Sequence, residues 1–329
     1  MKRVVKHYRW HENLWGYVFI APWLVGFIFF VAGPMAFSAL LSLYRWNGIS
    51  PLDSEHATFR GLGNFKELLF DDELFWTALY NTAYYAIISV PLGICTSLLL
   101  ATLLNAKLRG ISIFRTLFYV PNVVAGVATI MMWSWIFNPD FGGFNVVLNK
   151  VGLTALGHWI MHVVPGLDAF MARSHISWPP LWFAEAFWAK PALIIMSMWG
   201  AGGGMLIFLA SLQDIPPHLY EVAAIDGANR LRRFFAITLP LLTPTILFNL
   251  IMSIIGSFQV FAQAYLMTDG GPDNATLFYV LYLFRKAFQH FEMGYASALA
   301  WVLFAVIMTL TLLVLKSSSR WVYYEGERG

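Results

Sequence analysis

Six stretches of this chain, residues 15–44, 78–104, 116–136, 192–212, 241–265 and 294–315, are apolar and contain no Asp, Glu, Lys, Arg or His. Each supplies the ~20 residues a helix needs to cross a ~30 Å hydrocarbon layer. A backbone inside lipid must satisfy its own N–H and C=O groups. A continuous apolar run of this length therefore predicts an α-helix, because barrel strands would alternate in segments of about ten residues. The expected fold is an all-α membrane protein with six transmembrane helices. The stretch 153–170 is moderately apolar but is broken by His158, His162, Pro165 and Asp168, so it reads as an interfacial or extramembrane segment.

Hydrophobic residues make up 59% of the 329 and charged residues 12%, against roughly a quarter charged in soluble domains. An ordinary soluble protein is excluded. The basic residues then set the orientation. Lys2, Arg3, Lys6 and Arg9 precede the first run, and 105–115, 213–240 and the tail after 315 hold three Lys or Arg each. The longer intervening segments 45–77, 137–191 and 266–293 together hold 8. Positive residues stay inside, so both termini and the 213–240 connection are expected in the cytoplasm. The net charge of +3 is then a topology signal that calls for no nucleic acid.

The first run is too long for a signal-peptide core and is expected to remain as an anchor. Cys95, the only cysteine, lies inside the second run, which excludes an intrachain disulfide and a thiolate metal cluster. With no low-complexity linker, the chain reads as a cytoplasmic segment 1–14, one transmembrane domain 15–315 and a cytoplasmic tail 316–329. Pro22, Gly33-Pro34, Pro91, Pro121, Pro191 and Pro244 lie in or at the edges of the runs and predict kinks. The outer segments carry Trp159, Trp178, Trp182 and Trp188, expected at headgroup level or against an external partner. Leu281 to Glu292 reads as a short amphipathic helix on the outer face.

Between the fourth and fifth runs lies a polar island that membrane burial does not require. Its first half, Glu221-Val222-Ala223-Ala224-Ile225-Asp226-Gly227-Ala228, can form a short helix with a small-residue face that lets another backbone come close. Gly227 suits the left-handed end of such a helix. Arg230, Arg232 and Arg233 follow, and their simplest role is to meet lipid headgroups. The order of these residues, continued by Phe235 and Leu239-Pro240, resembles the cytoplasmic loop of permease subunits in binding-protein-dependent ABC importers.

Further patterns match that family in order: Gly61-Leu62-x-Asn64-Phe65, Asn81-Thr82, Tyr119-x-Pro121, Gly142 to Asn145, and Ile215-Pro216 with Tyr220. Later come Thr268-Asp269-Gly270-Gly271-Pro272 with Thr276, and Gly294-Tyr295-Ala296-Ser297-Ala298. Most resemble the carbohydrate branch, of maltose, lactose or glycerol-phosphate type, and the resemblance covers about residues 14 to 325. Val222 stands where the family generally has Ala, and the loop around 150–190 is longer than the family pattern.

The resemblance implies a type I importer permease fold in which 213–240 is a coupling loop docked on an ATPase subunit. Its docking residues are Tyr220, Glu221, Ala223, Ala224, Asp226, Gly227 and Ala228. Glu221 would pair with a basic residue of the ATPase, the three alanines would give a close-packing face, and Asp226-Gly227 would set the turn. It further implies a second related permease, an ATPase dimer that carries ATP and Mg, an extracytoplasmic binding protein, and a sugar or oligosaccharide as solute. No cofactor is expected on this chain. Ser197, Trp199, Gly202, Ser253, Gly256, Ser257, Gln259 and Gln263 are uncharged polar or small residues in runs four and five that suit a neutral cavity. In maltose-type members the equivalent region forms the solute site, which corresponds here to Ser253, Gly256, Ser257 and the stretch Trp199 to Gly203.

Other chemistries find less support. His158 and His162 have the i, i+4 spacing of a zinc pair but lack the Glu of His-Glu-x-x-His and a third ligand. Gly200 to Gly204 has no Lys-Ser or Lys-Thr and is no phosphate loop. Ion-driven carriers place charges at membrane depth despite a cost of about 2.5–3.5 kcal/mol each, and here there are none, so the energy source must lie elsewhere. The alternatives are an ABC permease for glycerol phosphate, polyamine or an anion, an ion-coupled carrier, and an intramembrane enzyme. Transport in vesicles without an ATPase would favour the carrier, and loss of activity on replacing His158 or His162 would favour the enzyme. Charge-free runs argue against strongly charged solutes.

Overall fold

The computed structural model describes residues 2–51, 53, 55–106, 108–164 and 167–323, with side chains from Trp15 onward except those of His162 and Leu167. Pro165, Lys107, the His162 side chain, the basic side chains before Trp15 and the tail beyond 323 lie outside the described residues. The chain divides into two units, Met1–Asp72 with Leu283–Val302, and Glu73–Tyr282 with Leu303–Gly329.

Three helices are long and apolar enough to cross a membrane unbroken: Trp15–Leu41, Glu73–Leu104 and Met293–Ser318. The other three runs are bent pairs: Ile111–Asn122 with Gly126–Ile136 at 96°, Ala186–Trp199 with Gly202–Asp214 at 43°, and Arg230–Leu241 with Thr243–Phe258 at 65°. Only some prolines make the breaks. Pro121 sits in the turn Val120–Asn122 ahead of the 96° bend. Pro91 lies inside an uninterrupted helix, and run four bends at Gly200 and Ala201, nine residues beyond Pro191. Pro34 and Pro240 each follow a wide π turn, Ile28–Ala32 and Phe234–Thr238. A proline has no N–H for the carbonyl one turn back, and widening the preceding turn reroutes the ladder.

In the first unit the helix of run one ends at Leu41, short of the expected 44, because Tyr44–Arg45 pairs antiparallel with Thr58–Phe59. Asn64 is buried and donates to Ser42 O at 2.8 Å and Tyr44 O at 2.9 Å, tying the helix Gly63–Phe70 to that hairpin. A Cβ on Gly294 would lie 2.0 Å from Tyr44 O, so only glycine lets the last helix start there. Run one is apolar on every face and exposed along most of its length (Phe30 81%, Phe19 79%), as suits a helix bathed in lipid.

In the second unit Glu73–Leu104 is the axis, flanked by Ala186–Trp199, Gly202–Asp214 and Thr243–Phe258. Ala101, Leu104, Met205, Phe208, Leu209, Leu212, Ile215 and Leu242 form one core. Without a hydrophobic drive in lipid, that contact rests on dispersion and close approach, which Ala101 permits. Arg115 donates to Leu104 O through Nε at 3.2 Å and Nη2 at 2.9 Å, a cation closing the negative end of the axial helix.

The segment 137–191 is a folded piece with helices Gly143–Lys150, Leu153–Val163 and Leu167–Arg173. Its tryptophans differ from the headgroup expectation. Trp182 is 3% exposed among Phe137, Phe144 and Trp188, and its Nε1 donates to Asn145 Oδ1 at 2.8 Å. Trp178 and Trp188 donate to Thr154 O and Ser177 O. Only Trp159, 60% exposed, fits the lipid-surface role. The stretch read as a helix from Leu281 to Glu292 is the helix Tyr279–Phe284 followed by a π turn, Arg285–Gln289. Tyr279, Leu281 and Tyr282 are buried, so it does not lie free on a surface.

Candidate functional site

The polar island folds as a helix, Pro217–Ile225, with proline in its first turn, where the missing N–H costs nothing. It ends at Asp226, and Gly227 takes φ +75°, the left-handed conformation an L side chain resists. Gly227 N donates to Ala224 O at 3.1 Å and Ala228 N to Ala223 O at 2.9 Å, the paired bonds of a Schellman stop. Asn229 then caps the next helix, its Oδ1 accepting from Arg232 N at 2.8 Å. The helix end at 224–227 is left exposed.

Two sides of this knob differ. Leu219 and Tyr220 pack against the Met205–Phe208–Leu242 core, and the Tyr220 hydroxyl shares a 2.9 Å hydrogen bond with Thr238 Oγ1. Ala223 and Ala228 are half-buried, joined by the Schellman bond. Glu221, Ala224, Asp226 and Gly227 are exposed, and Glu221 has no hydrogen-bond or ion-pair partner among the described residues. Beside it stand Val222 (55% exposed) and Ile225 (86%), apolar side chains the sequence reading gave no docking role. An unpaired carboxylate ringed by exposed apolar groups is the anatomy of an interface anchor.

The second feature is a cavity of about 420 Å³ in the same unit. Trp199, Ser253, Gly256 and Ser257 line it, together with Ser197 and Gln263. Gly202, Gly203 and Gln259 do not. Gln259 is exposed just past the helix Thr243–Phe258. Gly202 and Gly203 lie at the bend of run four against run three: a Cβ on Gly202 would lie 2.0 Å from Phe118 O. In the amide orientation that satisfies both groups, Asn122 donates to Gly200 O and accepts from Gly203 N, each at 3.0 Å. One side chain thus bridges the breaks of two runs. Asn122→Leu should lower the melting temperature of the solubilised subunit by a few degrees, since it removes two side-chain-to-backbone hydrogen bonds worth about 0.5–1.5 kcal/mol each.

Run two gives the cavity a further wall, outside the expected set of residues. Tyr85, Ser89, Gly93 and Ser97 recur every four residues along Glu73–Leu104, and all line the cavity. That spacing is one helix face, a signal present in the sequence. Asn249 and Thr129 complete the polar lining. Thr129 Oγ1 and Trp133 Nε1 are buried without a hydrogen-bond partner among the described residues, and Trp133 meets Trp199 edge-on at 6.0 Å. No lining residue is charged. Among the described residues no three His, Cys, Asp or Glu side chains gather as a metal site.

The family model described as "Binding-protein-dependent transport system inner membrane component" matches residues 89–324. The chain is 41% identical over 319 residues to the probable ABC transporter permease protein YesP of Bacillus subtilis, covering 96% of this chain and 94% of that one. It is 34% identical over 303 residues to the lactose transport system permease protein LacF of Rhizobium radiobacter (91% and 92% covered). It is 31% identical over 315 residues to the arabinooligosaccharides transport system permease protein AraP of Bacillus subtilis (94% and 90%). In three dimensions it matches a crystal structure of a bacterial ABC transporter involved in the import of the acidic polysaccharide alginate, with TM-score 0.74 at 23% identity over 97% of this chain and 99% of that one, which establishes the shared fold. With its apolar helices, bent runs and exposed knob, the chain belongs to the inner membrane components of binding-protein-dependent transport systems, as an ABC transporter permease subunit rather than an enzyme.

Proposed function

We propose that this subunit carries a sugar or oligosaccharide inward across the bacterial inner membrane, driven by ATP hydrolysis on a separate ATPase dimer that holds ATP and Mg. In this reading each bent pair is one crossing, making six, with both termini and the 213–240 loop in the cytoplasm. A second, related permease completes the pathway, and an extracytoplasmic binding protein delivers the solute. The observation that carries the reading is the charge-free cavity of hydroxyl, amide and indole groups, the chemistry that suits saccharide hydroxyls. Relatives named for lactose and arabinooligosaccharide transport support the same class.

Mechanically, the ATPase pair would close and draw the knobs of the two permeases together through Glu221. The force would pass inward through the Tyr220–Thr238 bond and the Leu219–Phe208 core to runs four and five, which wall the cavity. Those runs are already bent, so small rotations of their halves change which end of the cavity is open. Hydrolysis then resets the pair. The test is to purify the complex with its partners, reconstitute it in vesicles and measure which saccharide, delivered by the binding protein, stimulates ATP hydrolysis and accumulates inside. Several-fold stimulation by at least one saccharide is expected. Uptake driven by an ion gradient without ATP, or no response to any saccharide, would refute the proposal.

A further inference from the structure

Lys190 lies in the helix Ala186–Trp199, in register with Leu193 and Ser197, three and seven residues on, which both line the cavity. Opposite it, Asn81 shares a face of Glu73–Leu104 with Tyr85 and Ser89, four and eight residues on, also lining residues. Lys190 Nζ donates to Asn81 Oδ1 at 2.8 Å. The ammonium therefore sits one helical turn beyond the cavity wall, toward the N-terminal ends of both helices. In the proposed orientation that is the outer mouth.

The position is held from several sides. Asn81 is buried, and its Nδ2 donates to Asn274 O at 2.8 Å and Leu277 O at 3.2 Å, so its oxygen cannot turn away. The rings of Tyr80 and Tyr84 stand 5.2 and 5.0 Å from Nζ. An ammonium has three donors, and the amide takes one; the ring faces stabilise the charge without cancelling it. All its partners are neutral, and no carboxylate of the described residues pairs with it. A half-buried charge without a counter-ion is costly unless something that visits the site supplies one.

We infer that Lys190 is a specificity-determining residue that receives the carboxylate of an acidic, uronate-type saccharide as it enters the neutral cavity. The inference rests on the sugar-importer reading above and narrows its solute class. One ammonium balances one carboxylate. A phosphate ester, with about 1.5 to 2 negative charges, would need a second cation, and none lines the cavity.

The probes are a disaccharide of one galacturonate α-linked to one neutral sugar and its methyl ester, which keeps the shape and removes the charge. Uptake of each is measured in vesicles holding the full complex, at saturating binding protein whose affinity for each probe is determined separately. The wild type should take up the acid. Lys190→Met should cut that uptake about tenfold and leave ester uptake and unstimulated ATP hydrolysis unchanged, and Lys190→Arg should retain most of it. If Lys190→Met fails to assemble, Lys190→Gln, which keeps a donor for Asn81, decides the same question. Equal loss for both probes, unaltered uptake of the acid, or a wild type that imports only neutral saccharides overturns the inference. In the last case the sugar-importer reading stands, whereas a complex that imports no saccharide removes both.

Discussion

Gly202→Ala should yield almost no folded subunit, while Gly256→Ala should fold as the wild type does. Both glycines were expected along the solute path, and the structure gives them opposite surroundings. A Cβ at Gly202 would stand 2.0 Å from Phe118 O and 2.9 Å from the Asn122 amide. The first is backbone, with no rotamer to relieve the overlap, so run three or run four must move by more than an ångström. Moving either breaks the Asn122 bridge to Gly200 and Gly203. Ordinary overpacking costs about 1–3 kcal/mol, and a backbone collision coupled to lost hydrogen bonds exceeds that range. Against a total stability of about 5–15 kcal/mol, the expected result is a tenfold or greater loss of monodisperse protein after solubilisation. Gly256 has no atom within 4 Å of such a Cβ and faces the cavity, so its methyl group should alter uptake alone. A Gly202→Ala protein with the wild-type yield and melting curve would show that the runs are not packed through this glycine.

That contrast marks where sequence reading ended. The expected runs two and six fall inside longer unbroken helices, 78–104 within Glu73–Leu104 and 294–315 within Met293–Ser318, because an apolar helix in lipid has only length and composition to declare. The bends were not legible. Composition is the same on both sides of Gly200, and the break there is fixed by what run three brings alongside it. The helix of run five ends at Phe258, short of 265, and the chain resumes as a separate short helix, Ala262–Met267. The knob was legible because its stop is local: Gly227 and the two bonds around it lie within six residues. Many short motifs proved to be contacts between distant segments. Asn81 and Thr82 hold the backbone of Asn274, Leu277 and Tyr279, and Asn145 holds Pro180 and Trp182. Their residue types could be noticed in the sequence, but their partners could not. The cavity was read from runs four and five alone, although the four-residue stripe Tyr85, Ser89, Gly93, Ser97 was there to be counted.

Glu221→Lys should leave the subunit folded and assembled yet reduce saccharide-stimulated ATP hydrolysis by at least about 30-fold. The side chain is exposed and has no polar partner among the described residues, so replacing it breaks no internal hydrogen bond or ion pair there and the melting curve should not move. The loss is expected at the interface proposed for this knob. There Val222 and Ile225 would exclude water from the carboxylate and its basic partner, and disrupting a desolvated, hydrogen-bonded charge pair costs about 2–5 kcal/mol. Two kcal/mol is already a factor of about 30, and reversing the sign adds repulsion. Asp226→Asn is the control. Asp226 ends the helix through its backbone, its N–H donating to Val222 O at 3.0 Å, so the neutral isostere should couple nearly normally. Restoring stimulation with an acidic residue at the ATPase position that faces Glu221 would identify the pair. Full stimulation in Glu221→Lys would mean that force enters elsewhere. The exposed Ile225 would then be the residue to replace next, because an apolar anchor at 86% exposure also needs a partner to cover it.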